Sequence, residues 1–503
     1  MSNKQIKYGA ILSYLAIAVN IGVGLIYTPW MVDHIGQSQY GLYTLANSLI
    51  NLFLIDFGLS AATARYVSKY KAEGNTNKVN SFLGAVYKLY FIVDAVIYLV
   101  LLTVFIFIDK IYVNLTPVEL TQFKIVYGIA SIYSLINFPF VTLNGIMTAY
   151  EKFIPLKLAD LIYRILSVGF TVVALSFGMG LYALVSINAV SGLIVIIFKY
   201  IIIKRTTPVK VSFEKTESSL YKSILGFSLW ATVSAIASRL IFNITPTILG
   251  IVANSAAIAV FGIVTTIEGY TYTITSAING MFMPKISRIY ANTDTDTDIM
   301  PLMLKVGRFQ YALNGLIVAV FAVVGKEFII LWMGNDYIDA YWGILLVIIP
   351  GLFFNSLQIA NTAMIVKKKV NIQALISVII GVLNVILSFV MSWLYGMIGA
   401  CVSIFIAYTV RAVLYNIVYH KVMGFDIPQF IKKCYLRMSP PVIIAILLGL
   451  GINRFFPGSG IIAFLIKAAF VASIYLISVF FIGIDKSERK TVFDFILRKK
   501  QSK

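Results

Sequence analysis

Apolar stretches of about 20 residues or more recur from one end of this 503-residue chain to the other, each long enough to cross a bilayer as a helix. Backbone in lipid must satisfy its own N–H and C=O groups, which a helix does within one segment. Only 12% of the residues are charged, about half the share found in soluble domains. Outer-membrane barrels are excluded, because their strands alternate over about 10 residues and are less apolar per segment. The fold class is an all-α polytopic membrane protein.

Fourteen spans are expected, at roughly 9–31, 41–67, 80–108, 122–148, 155–177, 180–203, 223–249, 256–283, 306–332, 340–366, 371–394, 397–420, 438–455 and 460–484. Most connections are short. The longest, 204–222, falls between spans 6 and 7 and divides the first twelve into two groups of six. The expected organisation is an N-lobe at 1–203, a cytoplasmic linker at 204–222 and a C-lobe at 223–420. Residues 421–503 hold spans 13 and 14 and a basic cytoplasmic tail.

Net charge is +20. The basic residues lie mostly between spans, so orientation explains them better than nucleic acid. Alternate loops and the two termini hold 32 of the 41 Lys and Arg. The alternation survives all fourteen spans, which implies an even count with both termini in the cytoplasm. The N-terminus mimics a signal peptide, with Lys4 and Lys7 before an apolar run, but that run continues to Trp30 and another span follows. It reads as an uncleaved first helix. Cys401 and Cys434 lie far apart, one in a span and one in a basic loop, so no disulfide is expected. Two histidines, His34 and His420, offer no metal site.

A faint repeat runs through the two halves. Spans 1 and 7 carry Thr28-Pro29 and Thr245-Pro246 near their outer ends, each followed by a polar turn and a Gly/aromatic helix start. Parallel repeats of six suggest two lobes facing each other across a central path. Proline inside a span kinks it, and Pro29 and Pro246 are the candidate hinges, beside Pro139 and Pro350.

Three spans carry polar residues at helical spacing. Span 8 has Thr265, Glu268, Tyr272, Thr275 and Asn279; span 4 has Ser134, Asn137, Asn144 and Thr148; span 7 has Ser228, Thr232, Arg239 and Asn243. Hydrogen bonding between packed helices is the plainer reading; a water-filled cavity is the sharper one. A charge near the bilayer centre costs at least about 2.5 kcal/mol, so it is usually functional or paired. Arg239 lies about 24 Å beyond the cytoplasmic start of its span, and Arg164 about 14 Å into span 5. Asp160 stands four residues before Arg164, the favourable order for a pair. Lys88 sits about 12 Å deep, within reach of the cytoplasm by snorkelling, and Arg411 and Lys467 are comparable. Asp56, Asp94 and Glu268 each fall near mid-span. They are either structural acids or ion-coupling groups, since buried acids can carry a proton or bind sodium. On a straight helix Asp56 and Arg65, nine residues apart, point to opposite faces. Arg65 is then a separate candidate at the cytoplasmic mouth.

The stretch QYGLYTLANSLINLFLIDFGLSAATARYVSKYKAEGN at 39–75 resembles the second-helix signature of bacterial polysaccharide-export flippases. These belong to the multidrug/oligosaccharidyl-lipid/polysaccharide (MOP) superfamily. The whole layout of 6 + 6 + 2 spans is similar to O-antigen (Wzx-type) flippases and to lipid II flippases. The resemblance implies a V-shaped transporter that works by alternating access in the bacterial inner membrane. It implies as substrate an undecaprenyl-pyrophosphate-linked oligosaccharide, moved from the inner to the outer leaflet. Cations would then meet the pyrophosphate, Asn, Thr and Tyr the sugars, and spans 13 and 14 the lipid tail. Candidate head-group and cavity residues are Arg239, Arg164, Arg65, Lys88, Asn243, Tyr272, Asn279, Asn137 and Asn144. Family members are thought to use ion antiport; here that role falls to Glu268, Asp56 or Asp94, with H+ or Na+ as the coupling ion and no other cofactor. Expected partners are membrane lipids, a polysaccharide polymerase and other export proteins, with no nucleic acid.

Two rival readings stand. A multidrug or cation antiporter of the same superfamily usually has twelve spans and an acidic cavity. A membrane polymerase or glycosyltransferase typically carries a large outside loop, and the longest outside segments here, near 109–121 and 333–339, are short. The expectation is a transporter, not an enzyme.

Overall fold

The structure is a computed structural model that describes residues 3–53, 56–213, 218–276, 282–292, 299–456, 458, 460–485 and 489. Every regular element among them is helical. Among the described residues, eleven helices are long and apolar enough to cross a membrane. One is the 52-residue Val370–Lys421, in which Gly396 at φ 57 and ψ −135 breaks the helix between the spans expected at 371–394 and 397–420. That φ suits a residue without a Cβ. The chain divides into two compact units, Met1–Gly262 with Ser377–Ala400, and Ile263–Ile376 with Cys401–Lys503.

The first unit holds α1 (Asn3–Ile35), α2 (Gln37–Phe53), α3 (Leu59–Ala72), α4 (Thr76–Ile111) and α5 (Pro117–Asn137). It continues through α6 (Thr142–Ala149), α7 (Phe153–Ser176), α8 (Leu181–Thr206), α9 (Ser218–Phe242), α10 (Thr245–Val252) and the start of α11 (Ser255–Ser276). Local chemistry sets several starts. Asn75 caps α4 by accepting from the Lys78 N–H at 2.9 Å. Thr116 and Glu119 form a reciprocal capping box at α5, with Pro117 in its first turn. The Glu119 carboxylate also accepts from Ser38 Oγ at 2.6 Å and from Ser255 Oγ. One side chain thus ties together the starts of α2, α5 and α11. Gly41 permits that approach, since a Cβ there would stand 2.1 Å from the Ser255 carbonyl oxygen.

The second expected span is not one straight helix. Phe57 and Gly58 take φ of 50 and 67, a left-handed conformation that ends a right-handed helix. α2 is described as far as Phe53, and α3 starts at Leu59. The Asp56 carboxylate accepts from the Ser60 N–H at 3.3 Å and from the Tyr90 hydroxyl at 2.6 Å. Asp56 therefore caps the start of α3 instead of standing mid-helix, and the opposite-face argument does not apply. Its partners are Ser60 and Tyr90, not Arg65.

The expected linker begins later than its boundary, because α8 runs to Thr206. Residues 207–213 then lie extended along α4. Asn80 accepts from Lys210 N–H through its side chain at 2.8 Å and from Ser212 N–H through its carbonyl at 3.2 Å. Lys88 Nζ donates to the Phe213 carbonyl at 2.9 Å.

The second unit holds the rest of α11, α12 (Met283–Asn292), α13 (Met300–Met333), α14 (Ala340–Ile348), α15 (Gly351–Asn355) and α16 (Gln358–Val366). The C-terminal part of α17 (Val370–Lys421) follows, then α18 (Ile427–Phe430), α19 (Leu436–Phe455) and α20 (Ile461–Ser478). α13 packs against both α19 and α20. Lys467 on α20, 1% exposed, donates to Glu327 on α13 at 2.5 Å and to the Gly458 carbonyl at 3.1 Å. Removing one partner of such a pair leaves a buried charge, at a cost of about 3–5 kcal/mol.

Below α20, Asp485 is gripped by Arg308 and Arg437. Burial pushes the Asp485 carboxyl up, but the two guanidiniums outweigh it and hold the group below the usual carboxylate range. The unfolded value is about 3.9, so this contribution to stability is present above about pH 4. It is lost as pH falls through the depressed folded-state value. Asp485→Asn is expected to lower the melting temperature at pH 7 by about 2–4 °C and to flatten its acid-side decline. A thermal scan in detergent from pH 7 to 3 checks this; identical curves for both proteins would remove the clamp from the stability account.

Candidate functional site

In the first unit the deep cation of α7 is Arg164. The expected partner at helical spacing, Asp160, instead accepts from Lys157 at 3.5 Å. Arg164 pairs with no carboxylate among the described residues; its guanidinium lies 6.0 Å from the centre of the Tyr27 ring, and its buried Nε has no hydrogen-bond partner. A cavity of 390 Å³ opens beside it, lined by Asn20 of α1 with Lys157, Asp160, Tyr163 and Arg164. Lys199 of α8 is a further cation, half-buried and in the electrostatic reach of Lys157 and Asp160. Its Nζ donates to Asn144 Oδ1 at 3.0 Å. Lys199 lies near the end of the sixth expected span, and α8 carries it within reach of α6.

Three cations around one carboxylate leave this corner with a net positive charge. A partly desolvated guanidinium that spends no hydrogen bond on a protein acid is suited to phosphate, which it can grip through two parallel N–H groups.

The polar stripe of span 4 is not one register. A tight 3-10 turn at Phe138–Val141, containing Pro139, separates α5 from α6. Ser134 and Asn137 line a second cavity, of 240 Å³, within the first unit. Asn144 serves Lys199, and Thr148 bonds to its own helix. Arg239 on α9 donates to Asn243 Oδ1 at 3.4 Å, next to the break between α9 and α10. Pro246 sits in the first turn of α10, whereas Pro29 lies inside the unbroken α1. Arg65 is exposed on α3, 5.8 Å from the Tyr66 ring centre. Lys88 holds the extended segment, as described above. Asp94 is half-buried on α4, and its Oδ1 has no hydrogen-bond partner among the described residues.

In the second unit the stripe of α11 splits. Thr275, 1% exposed, bonds to its own helix at the Thr271 carbonyl and accepts from Asn355 at 3.4 Å. It serves helix packing. Tyr272 is exposed, and Asn279 lies outside the described residues. Glu268 is half-buried and makes no hydrogen bond or ion pair among the described residues. Tyr408 of α17 lies in the electrostatic reach of both Glu268 and Arg411. The Arg411 guanidinium stands 4.1 Å from the Phe354 ring centre, 5.5 Å from Tyr408 and 5.7 Å from Tyr415. Desolvated cation–π contacts of this kind are worth about 2 kcal/mol each. This aromatic cage was not anticipated. Its signal in the sequence is Tyr408, Arg411, Tyr415 and Tyr419, at steps of 3, 4 and 4.

The two units thus hold different chemistry, a net positive corner around Arg164 and an acid, Glu268, without a partner among the described residues. The family model described as polysaccharide biosynthesis protein matches residues 6–290, more than half of the chain. The chain belongs to that family. This polysaccharide biosynthesis family member also shares its fold with solved transporters. Lipid II flippase MurJ, in an inward closed conformation, aligns with a TM-score of 0.73 at 14% identity, over 94% of this chain and 97% of that one. An inward-facing multidrug resistance MATE family transporter of the MOP superfamily aligns at 0.68 and 14% identity, over 84% and 99%. A MOP superfamily transporter from Pyrococcus furiosus aligns at 0.58 and 12%, over 84% and 96%. At such identities the likeness establishes the fold alone. A comparison with curated protein sequences gives no match. The family member is a multi-pass membrane protein with a MOP-type transporter fold.

Proposed function

We propose that the protein flips an oligosaccharide carried on undecaprenyl pyrophosphate from the inner to the outer leaflet of the bacterial cytoplasmic membrane. Both termini lie in the cytoplasm, transport is by alternating access, and a proton or sodium gradient drives it. A polysaccharide polymerase and other export proteins take the product onward. The observation that carries this reading is the cationic cavity at Arg164, where a guanidinium that pairs with no carboxylate among the described residues shares the lining with Asn20, Lys157 and Asp160. An anionic head group supplies the charge that the protein does not. The family match supports the same reading, as does the 94% of this chain that aligns with a lipid II flippase.

A multidrug or cation antiporter is the second reading, favoured by Glu268, which has no partner among the described residues, and by the likeness to MATE transporters. One experiment separates the two. The full chain is expressed in a bacterial strain lacking its own exporter of a pyrophosphate-linked repeat unit. Restored surface polysaccharide with unchanged drug tolerance is the expected result. Raised tolerance to cationic drugs without surface polysaccharide would overturn it.

A further inference from the structure

The 240 Å³ cavity of the first unit differs in kind from its cationic neighbour. Its polar lining is Tyr43, Asn47 and Asn51 from α2, Tyr133 and Asn137 from α5, and Asn188 from α8, with Ser134 and Tyr163 beside them. No described residue lining it carries a formal charge. Each amide offers both donors and acceptors, which suits hydroxyl groups, themselves donors and acceptors at once. The phenol rings add flat apolar faces with polar tips.

The groups are held in place. Ser167 donates to Asn188 Oδ1, and Asn188 Nδ2 donates to the Tyr43 hydroxyl at 3.1 Å. Tyr133 is seated by a missing side chain, since a Cβ on Gly192 would stand 1.8 Å from its hydroxyl oxygen. At about 30 Å³ per water the cavity has room for roughly eight waters, below the usual range of about 300–1,000 Å³ for drug-sized ligands. That is room for one sugar ring.

Position supplies the rest. Tyr163 lines both this cavity and the one that contains Arg164. Because the two cavities share Tyr163, a ligand with its anionic group beside Arg164 can place its next covalent unit among these neutral amides and phenols. Resting on the function proposed above, we infer that the Asn/Tyr cavity holds the sugar bonded to the pyrophosphate and selects for an uncharged ring. A charged ring would enter with no counter-charge in the lining, and burial of an unpaired charge is costly.

The test uses the purified full chain in detergent and three synthetic probes on one polyprenyl pyrophosphate: no sugar, one N-acetylhexosamine, or one uronic acid. Direct binding to wild type should favour the neutral sugar at least about tenfold over the other two. This comparison needs no variant. Asn47→Leu and the milder Gly192→Ala should each lose that preference while binding the sugar-free probe as before. Arg164→Ala should weaken all three probes. Equal wild-type affinity for the sugar-free and neutral probes, or tighter binding of the uronic acid, would overturn the inference and leave the flippase reading intact. Failure of wild type to bind any of the three would overturn both.

Discussion

Arg164→Ala is expected to cut flipping of a pyrophosphate-linked glycan by about 10–100-fold while the protein still reaches the membrane. A hydrogen bond to a charged group contributes about 1.5–3 kcal/mol, and each 1.4 kcal/mol is a factor of ten. Arg164 pairs with no carboxylate among the described residues, and Asp160 accepts from Lys157. Alanine at 164 therefore strands no buried acid, and most of the effect should fall on the substrate. Arg164→Lys keeps the charge but not the planar fork, so an intermediate loss is expected. Accumulation of the lipid-linked intermediate on the cytoplasmic face, measured against membrane levels of each variant, checks this. Wild-type export in both variants would remove Arg164 from head-group binding and with it the main support for an anionic substrate.

The helical plan was legible because bilayer thickness sets a length that apolar runs either meet or do not. The break at Asp56–Gly58 was not, because Phe57 and Leu59 keep the stretch apolar while the backbone turns left-handed. A single glycine and an aspartate do not announce such a turn in a membrane segment. Helical spacing also left a pair open. Asp160 has a cation at each end, Lys157 three residues before and Arg164 four residues after, and spacing cannot say which one it takes. The side chains chose Lys157, and that left Arg164 available. The cavities were out of reach for a different reason. Asn47, Tyr133, Tyr163 and Asn188 come from four helices, and only packing brings them together. Arg411 looks in sequence like one more charge in a span, although two of its three aromatic neighbours, Tyr408 and Tyr415, share its helix face; Phe354 comes from another element.

Glu268→Gln is expected to uncouple transport from the ion gradient without stopping exchange. Each acid named in the sequence now has a distinct setting. Asp56 caps a helix and accepts from Tyr90, so Asp56→Asn should act through the fold of α2 and α3. Glu268 has no such duty among the described residues, and it stands near Tyr408 and the field of Arg411. A carboxylate in a low-dielectric site must be neutralised, by a proton or by a cation. Glutamine keeps the shape and the hydrogen-bonding capacity but cannot change charge. One pH unit across the membrane is worth about 1.4 kcal/mol per proton, a factor of about ten in the gradient of substrate it can sustain. In sealed vesicles, wild type should therefore hold roughly a tenfold leaflet asymmetry of the glycan per proton and pH unit. The variant should equilibrate the leaflets and stop there. The same vesicles with a sodium gradient at constant pH identify the ion. A Glu268→Gln protein that still builds asymmetry would move the coupling role to Asp94, whose Oδ1 is buried without a partner among the described residues.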